Sequence, residues 1–265
     1  ITAMHYAAAY DFPQFFDILK QAGASQNVSD TQNLTPLTVA MLKNNLLSMK
    51  KLLSYSDTDV NCKDNQGRSL IVVAVDTLSK TNFEHIKFLL EDKNADPNVV
   101  DIQNRTALHY ACTLDISNLV ESDPRLTSEH DQSKQEQLRQ ELTEEYSKLQ
   151  DDTINILLSK GAALNAADKE NKTPFYLALE NENFRVCQLL LQQADLDLTK
   201  INESDEGVYH LLAKVILEKG AIELYKTISE KIKNKNSIES FVDAQGFTPF
   251  LRLIQTFANG AQGIL

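Results

Sequence analysis

Thr106-Ala107-Leu108-His109-Tyr110-Ala111 decides the fold, because the chain writes this phrase repeatedly. Counterparts are Thr2-Ala3-Met4-His5-Tyr6-Ala7, Thr35-Pro36-Leu37-Thr38-Val39-Ala40, Ser69-Leu70-Ile71-Val72-Val73-Ala74 and Thr173-Pro174-Phe175-Tyr176-Leu177-Ala178, with a shorter copy at Thr248-Pro249-Phe250-Leu251. Counted from the Thr or Ser, the spacings are 33, 34, 37, 67 and 75 residues. A step of about 33 accounts for them: 67 is one step plus an insertion and 75 is two steps, the skipped copy being Gly207-Val208-Tyr209-His210-Leu211-Leu212. Self-similarity at this period means that one small unit is stacked many times.

Each copy reads as a helix start. The Thr or Ser oxygen accepts from free N–H groups of the first turn, and Pro at the next position gives up a donor that had no partner. A second apolar run follows, as in Phe15-Phe16-Asp17-Ile18-Leu19, Met49 to Leu53, Ile86 to Leu90, Ile154 to Leu158 and Val186 to Leu191, with the spacing of a second helix behind the first. Tails such as Gly161-Ala162-Ala163-Leu164-Asn165 come next, and then Asp64 to Gly67, Asp101 to Asn104, Asp168 to Asn171 and Asp243 to Gly246 mark tight turns.

Turn, helix, short turn and helix at this period closely resembles the ankyrin repeat, with its Thr-Pro-Leu-His phrase, apolar second helix and Gly-Ala-Asp-Val-Asn-like tail. The resemblance implies an all-α solenoid of stacked helix-turn-helix units with β-turn or hairpin fingers. About seven units are expected over residues 1–265, interrupted by a helical acidic insertion at about 115–152. Repeat three departs from the pattern with three or four extra residues near Asp76 to Asn82, and repeat six is degenerate. The chain opens at Ile1-Thr2, where a first helix would begin, and stops before the last unit could form its second helix. The expectation is therefore a piece of a longer protein.

The insertion carries over half of the charge. Glu121 to Asp152 holds ten acidic and four basic side chains, net −6 of the chain's −11. Leu138, Leu142, Tyr146 and Leu149 are spaced four, four and three apart on an otherwise polar helix. The favoured reading is a second helix extended and resting on its neighbours; the alternative is an arm whose apolar stripe docks a partner.

The acidic balance speaks against nucleic acid and anionic lipid as partners. The longest apolar runs, such as Leu70 to Val75, fall far short of the ~20 residues that span a bilayer, so no direct membrane insertion is expected. Cys62, Cys112 and Cys187 are an odd number and far apart, which makes a disulfide framework improbable and a reducing, cytoplasmic compartment the expectation, with nucleus and cytoskeleton left open. His5, His109 and His210 recur about 100 residues apart and line a ladder, so no metal site is expected; the family resemblance implies that they tie neighbouring turns by hydrogen bonds. His85 and His130 match no motif. Cys112 occupies a small-residue core slot with no readable base, and the pairs Glu144-Glu145 and Asp151-Asp152 have no pocket. No phosphate loop, HExxH, GxSxG or kinase motif is present, so neither catalysis nor a cofactor is expected in these residues.

The resemblance implies that partner proteins are gripped in a concave groove made by the turn tips and the exposed ends of the first helices. Carried over by position, the candidates are Tyr10, Leu42, Lys43, Asn65, Gln66, Arg68, Ile102, Gln103 and Arg105, then Thr113, Leu114, Lys169, Glu170, Lys172, Glu180 and Phe247. Tyr10, Arg68, Ile102, Arg105, Leu114 and Phe247 have the character of energetic anchors. The function expected is a protein-protein interaction scaffold holding a partner, or another part of its own chain, within a larger assembly. The alternative is a recruiting or regulatory module of a multidomain enzyme, such as a ubiquitin ligase, kinase or ADP-ribosyl transferase, whose catalytic part lies elsewhere. A less favoured third reading is an autoinhibitory or lipid-directed module.

Overall fold

The computed structural model describes residues 1–129, 131–215, 221–231 and 242–262; of the residues read above, His130 and 263–265 lie outside it. The chain divides into two compact units, Ile1–Ala163 and Leu164–Leu265. Each is built from helix pairs, with isolated two-residue bridges at the finger bases, Lys63 with Ser69 and Ile201 with Gly207. The fold class is all-α ankyrin repeat.

The first unit runs through α1 (Ala3–Ala9), α2 (Gln14–Gln21), α3 (Pro36–Leu42), α4 (Leu46–Leu52), α5 (Leu70–Asp76), α6 (Lys80–Glu91) and α7 (Ala107–Thr113), then α8 (Ile116–Glu121), α9 (Pro124–Ser128) and the 28-residue α10 (Gln132–Ser159). The phrase residues begin the first helices as the chemistry requires. Thr35 Oγ1 accepts the N–H of Thr38 at 3.3 Å and Ser69 Oγ that of Val72 at 3.4 Å. Replacing such a cap by Ala costs about 1 kcal/mol. First helices α1, α3, α5 and α7 pack side by side in that order, with α2, α4, α6 and the end of α10 behind them. The core lies between the two rows: Met4, Leu37, Met41, Leu70 and Leu108 meet Phe16, Met49, Leu52, Ile86, Leu89, Ile154 and Leu157, all buried. Each such side chain contributes about 1.5–3 kcal/mol by leaving water. The extra residues of repeat three lengthen its second helix, α6, to 12 residues, against 8 in α2 and 7 in α4.

The second unit repeats the plan with α11 (Pro174–Glu180), α12 (Phe184–Leu191), α13 (Val208–Val215), α14 (Ala221–Lys231) and α15 (Pro249–Gln262). Phe175, Leu179, Val186, Leu190, Leu212, Leu224 and Ile228 are its core.

Turn chemistry fixes the fingers. One side-chain oxygen of Asp64 accepts the N–H groups of Gln66 and Arg68, both at 2.9 Å, and Asp101, Asp168 and Asp243 do the same two and four residues ahead. Two further turns that the sequence reading passed over are built alike, on Asp30 and on Asn202. Each contains a residue at positive φ, among them Asn33, Gly67, Asn104, Asn171, Asp205 and Gly246, which is why Asn, Asp and Gly recur there.

Three sets of bonds join one repeat to the next. Nδ1 of His5 accepts the N–H of Thr2 at 3.1 Å, which leaves the ring proton on Nε2 to be donated to the Leu34 carbonyl at 2.9 Å. His210 does the same between Gly207 and the Phe247 carbonyl, so Gly207 begins α13 without a hydroxyl cap. Asparagine amides form the second set. Asn27 spans the Asp57 carbonyl and the Asp59 N–H, and Asn165 spans the Asp195 carbonyl and the Asp197 N–H. Asn98 makes the equivalent pair to Gly161 at 2.9 Å and Ala163 at 2.7 Å, 63 and 65 residues away, so the insertion leaves this rung intact. The third set links turn tips and belongs to the candidate surface.

The insertion is α8, α9 and the front of α10. Its apolar stripe is not an exposed arm free to dock a partner but is packed within the fold. Leu142, Tyr146 and Leu149 are 1%, 7% and 8% exposed and Leu138, at the front of the stripe, is half-buried, because α10 lies against α8 and α9. A polar clasp fastens it. Asp123, 5% exposed, accepts from Arg125 Nη2 and from the Tyr146 hydroxyl, both at 2.9 Å, and Arg125 reaches on to Glu145 at 3.1 Å. The Arg125 guanidinium holds the Asp123 carboxyl below its usual range; burial, and then Asp123 itself, push the Tyr146 hydroxyl up to about 12.

Candidate partner-binding surface

Turn tips stand next to the exposed ends of the first helices, and their backbones are bonded tip to tip. In the first unit the Asn65 N–H donates to the Gln32 carbonyl at 3.2 Å and the Ile102 N–H to the Gln66 carbonyl at 3.0 Å; in the second, Glu203 donates to Glu170 at 3.1 Å and Ala244 to Ser204 at 2.9 Å. Side chains on these tips are therefore carried on a continuous hydrogen-bonded row within each unit, which lowers the conformational cost of presenting them to a partner.

None of the sixteen candidates is buried. Tyr10, Leu42 and Ile102 are 65%, 41% and 54% exposed, the first two at the ends of α1 and α3 and the third on the turn before α7. Lys43, Asn65, Gln66 and Gln103 are exposed beside them, and Arg105, Thr113 and Leu114 are half-buried. Other candidates are engaged within the fold. Arg68 lies between Asp64 and Asp76, at 2.8 Å from each, so its guanidinium braces its own finger. Lys172 bridges Glu170 at 2.9 Å and Glu180 at 2.8 Å, leaving Lys169 outside that cluster. Phe247 lies under the Arg252 guanidinium, 4.5 Å from its ring centre, a cation–π contact that holds it against the fold.

Two cavities open on this face of the first unit. One of about 280 Å³ has Tyr10 and Lys43 in its wall, together with Tyr6, Ala9 and Val39. The other, about 230 Å³, is lined by Thr113 and Leu114 with Asp76, Tyr110, Asp115 and Leu119. The Tyr110 hydroxyl donates to Asp101 Oδ2 at 2.7 Å, and burial raises its pKa, helped by that carboxylate. Tyr6, Val39, Asp76, Tyr110 and Asp115 escaped the sequence reading. The signal for two of them was present: Tyr6 and Tyr110 fill the same slot, directly after the histidine, in repeats one and four.

In the second unit Tyr176 stands where other copies have histidine. Its hydroxyl accepts from Asn202 at 3.0 Å and donates to Glu206 at 3.5 Å, and Lys214 pairs with Glu206 at 2.5 Å. Burial raises the Tyr176 pKa, followed by the Glu206 and Glu180 charges. Cys62, Cys112 and Cys187 are buried, and burial raises the thiol pKa of Cys62 and Cys187, which removes nucleophilic character from those two. Among the described residues no three His, Cys, Asp or Glu side chains are placed to share a metal ion, and no helix is long and apolar enough to cross a membrane.

Stacked helix pairs with tip-bonded turns define a helical-repeat protein of the kind that offers a surface rather than a catalytic pocket. The chain belongs to the ankyrin-repeat family, residues 41–122 matching the family's profile, described as ankyrin repeats (3 copies). It is 30% identical over 202 residues to a protein named poly [ADP-ribose] polymerase tankyrase from Caenorhabditis elegans, covering 72% of this chain and 8% of that protein. It is 28% identical over 238 residues to human transient receptor potential cation channel subfamily A member 1, covering 82% and 20%, and 26% identical over 110 residues to human Rabankyrin-5, covering 42% and 9%. The chain thus spans a fifth or less of the length of these relatives. Ankyrin repeats are generally protein-protein interaction modules, a non-catalytic fold, and the likeness to the polymerase is partial and lies in the repeats, so it is not evidence of enzymatic activity.

Proposed function

We propose that this chain is a protein-protein interaction scaffold that holds a partner protein, or another part of its own chain, against the face formed by the turn tips and first helices, within a larger assembly. The observation that carries the reading is that three large apolar side chains are exposed on this face, Tyr10 and Leu42 at the ends of α1 and α3 and Ile102 on the hydrogen-bonded row of tips. Anchors of this kind dominate binding energy when they are presented without reorganisation. Cross-linking and affinity capture from native extracts, with the full-length protein, tests it. Tyr10→Ala with Ile102→Ala should remove the captured partner, while Leu47→Ala, an equally exposed side chain (62%) on the second-helix row, should not. Unchanged capture by the double variant, with helicity intact, would sink the reading.

The likeness to a protein named as a poly [ADP-ribose] polymerase supports a second reading, in which these repeats recruit substrates for a catalytic part elsewhere in the same protein. ADP-ribose transfer by the full-length protein, lost for particular substrates in the same double variant, distinguishes it from a scaffold without activity.

A further inference from the structure

The two cavities on the first unit differ in their charged side chains: Lys43 and Asp30 line the first, Asp76 and Asp115 the second. The first lies between α1 and α3, where exposed Tyr6 and Tyr10 face Val39 and Lys43. Lys43 is exposed and makes no ion pair among the described residues. Asp30, in the same wall, is half-buried, and its Oδ1 accepts the N–H groups of Gln32 and Leu34 at 2.8 and 3.0 Å, whereas Lys43 is open to solvent. The second cavity exists because α8 continues past the end of α7. Its walls are the Tyr110 ring, Leu114 and Leu119, and Asp76 and Asp115 stand at its edge. Asp76 shares an oxygen with Arg68 at 2.8 Å yet is 43% exposed, and Asp115 gives Oδ1 to the Asn118 N–H at 3.1 Å. Neither α7 nor α8 contains Lys or Arg.

We propose that this face takes an extended segment of a partner protein, carrying an apolar side chain next to an acidic one in the first cavity and a Lys or Arg in the second, about five or six residues away. The inference rests on the scaffold reading above and names the partner's chemistry. A basic side chain can lay its methylene stem on Leu114, Leu119 and the Tyr110 ring while its head meets two carboxylates. An acid beside an apolar anchor satisfies Lys43 over the tyrosines. The spacing follows from packing: α1, α3, α5 and α7 are successive neighbours, so the cavities are two helix steps apart. At about 8–10 Å per step that is ~16–20 Å, which an extended chain crosses in about five or six residues at ~3.3 Å each. A free amino acid or small cation could fill only one cavity; the pairing of opposite charges across that span fits one continuous chain.

A library of random dodecapeptides displayed on phage, panned against the whole chain, tests this directly. The selected peptides should share an apolar–acidic pair with a Lys or Arg about five or six residues from it. The best of them, as a labelled synthetic peptide read by fluorescence anisotropy, should bind about tenfold more weakly to Lys43→Glu and to Asp76→Asn with Asp115→Asn. Asn at 115 preserves the helix cap, and circular dichroism verifies that each variant is folded. Replacing the acid of the peptide by Lys should restore binding to Lys43→Glu. Selected peptides that lack the pattern but are weakened by Ile102→Ala would overturn this inference and leave the scaffold reading standing. Failure to select any peptide, or selected peptides indifferent to every substitution on the face, would overturn both.

Discussion

Replacing Gly67 by Ala probes the bonded row of turn tips at its tightest point. Gly67 has φ of +74°, and a Cβ there would sit 3.0 Å from the Ile102 nitrogen and 3.2 Å from Asp101 C and Cα, all backbone atoms that cannot rotate away. Two costs follow. Holding an L-residue in the left-handed region costs about 1–2 kcal/mol. Pushing the neighbouring tip aside breaks the bond from the Ile102 N–H to the Gln66 carbonyl, another ~1 kcal/mol. The sum is about 2–3 kcal/mol. Gly161 supplies the control within the same unit: its φ is +84°, but nothing lies within 4 Å of the position a Cβ would take. Gly161→Ala should therefore lose only the backbone part, about 1–2 kcal/mol. Thermal unfolding followed by circular dichroism should place Gly67→Ala below Gly161→Ala by roughly 2–4 °C, since ~1 kcal/mol moves Tm by that much in a chain of this size. Equal midpoints for the two variants would mean that the tips are not in contact, and the argument for a preorganised row would fall with them.

Other consequences follow from buried polar groups. His85 is fully buried, its Nε2 has no partner among the described residues, and burial followed by the Lys50 charge lowers its pKa from 6.5. The unfolded state then binds the proton more readily, so stability is complete above pH 6.5 and falls as the pH drops below it; Tm measured against pH should show that fall in the native sequence and a smaller one in His85→Leu. Tyr146→Phe removes the hydroxyl donor from buried Asp123 and should cost about 1 kcal/mol in urea unfolding, with faster amide exchange across Pro124–Ser128. Unaltered exchange there would show that the clasp does not hold the insertion down.

The helix pairs were legible because each is announced twice, by a hydroxyl or Pro at its start and by Asp with Gly or Asn in the turn before it, and both signals are local. Where the local chemistry is substituted, legibility drops. Gly207 caps nothing with a side chain, and its place is recoverable only through His210; the turn on Asn202 lacks the leading Asp, whereas Asp30 to Asn33 has the same Asp-to-Asn spelling as Asp101 to Asn104 and was legible though passed over. The candidate surface was legible as a set of positions but not as a set of roles. Spacing puts Arg68 and Lys172 on the face, yet whether their charges are free depends on Asp76 and Glu180, eight residues along in each case, which only the packed helix brings back to them. The second cavity was legible only on the side of Tyr110, Thr113 and Leu114, since Asp115, Asn118 and Leu119 belong to an insertion whose direction no periodicity encodes. The stripe of Leu142, Tyr146 and Leu149 shows the same gap: the pattern shows an apolar face on α10, and the cover is supplied by α8 and α9 from nearby in sequence.

The amide of Asn98 reaches residues more than sixty positions downstream with the bond lengths that Asn27 achieves across about thirty. Separation along the chain is thus invisible to the stack at this junction, and only the two ends of the intervening stretch must arrive in register. A segment entering here can lengthen, shorten or be exchanged during evolution while the neighbouring bricks keep their seats. The ribbon between Thr113 and Thr153 is in effect a mounting point, at which new chemistry can be attached to an old frame.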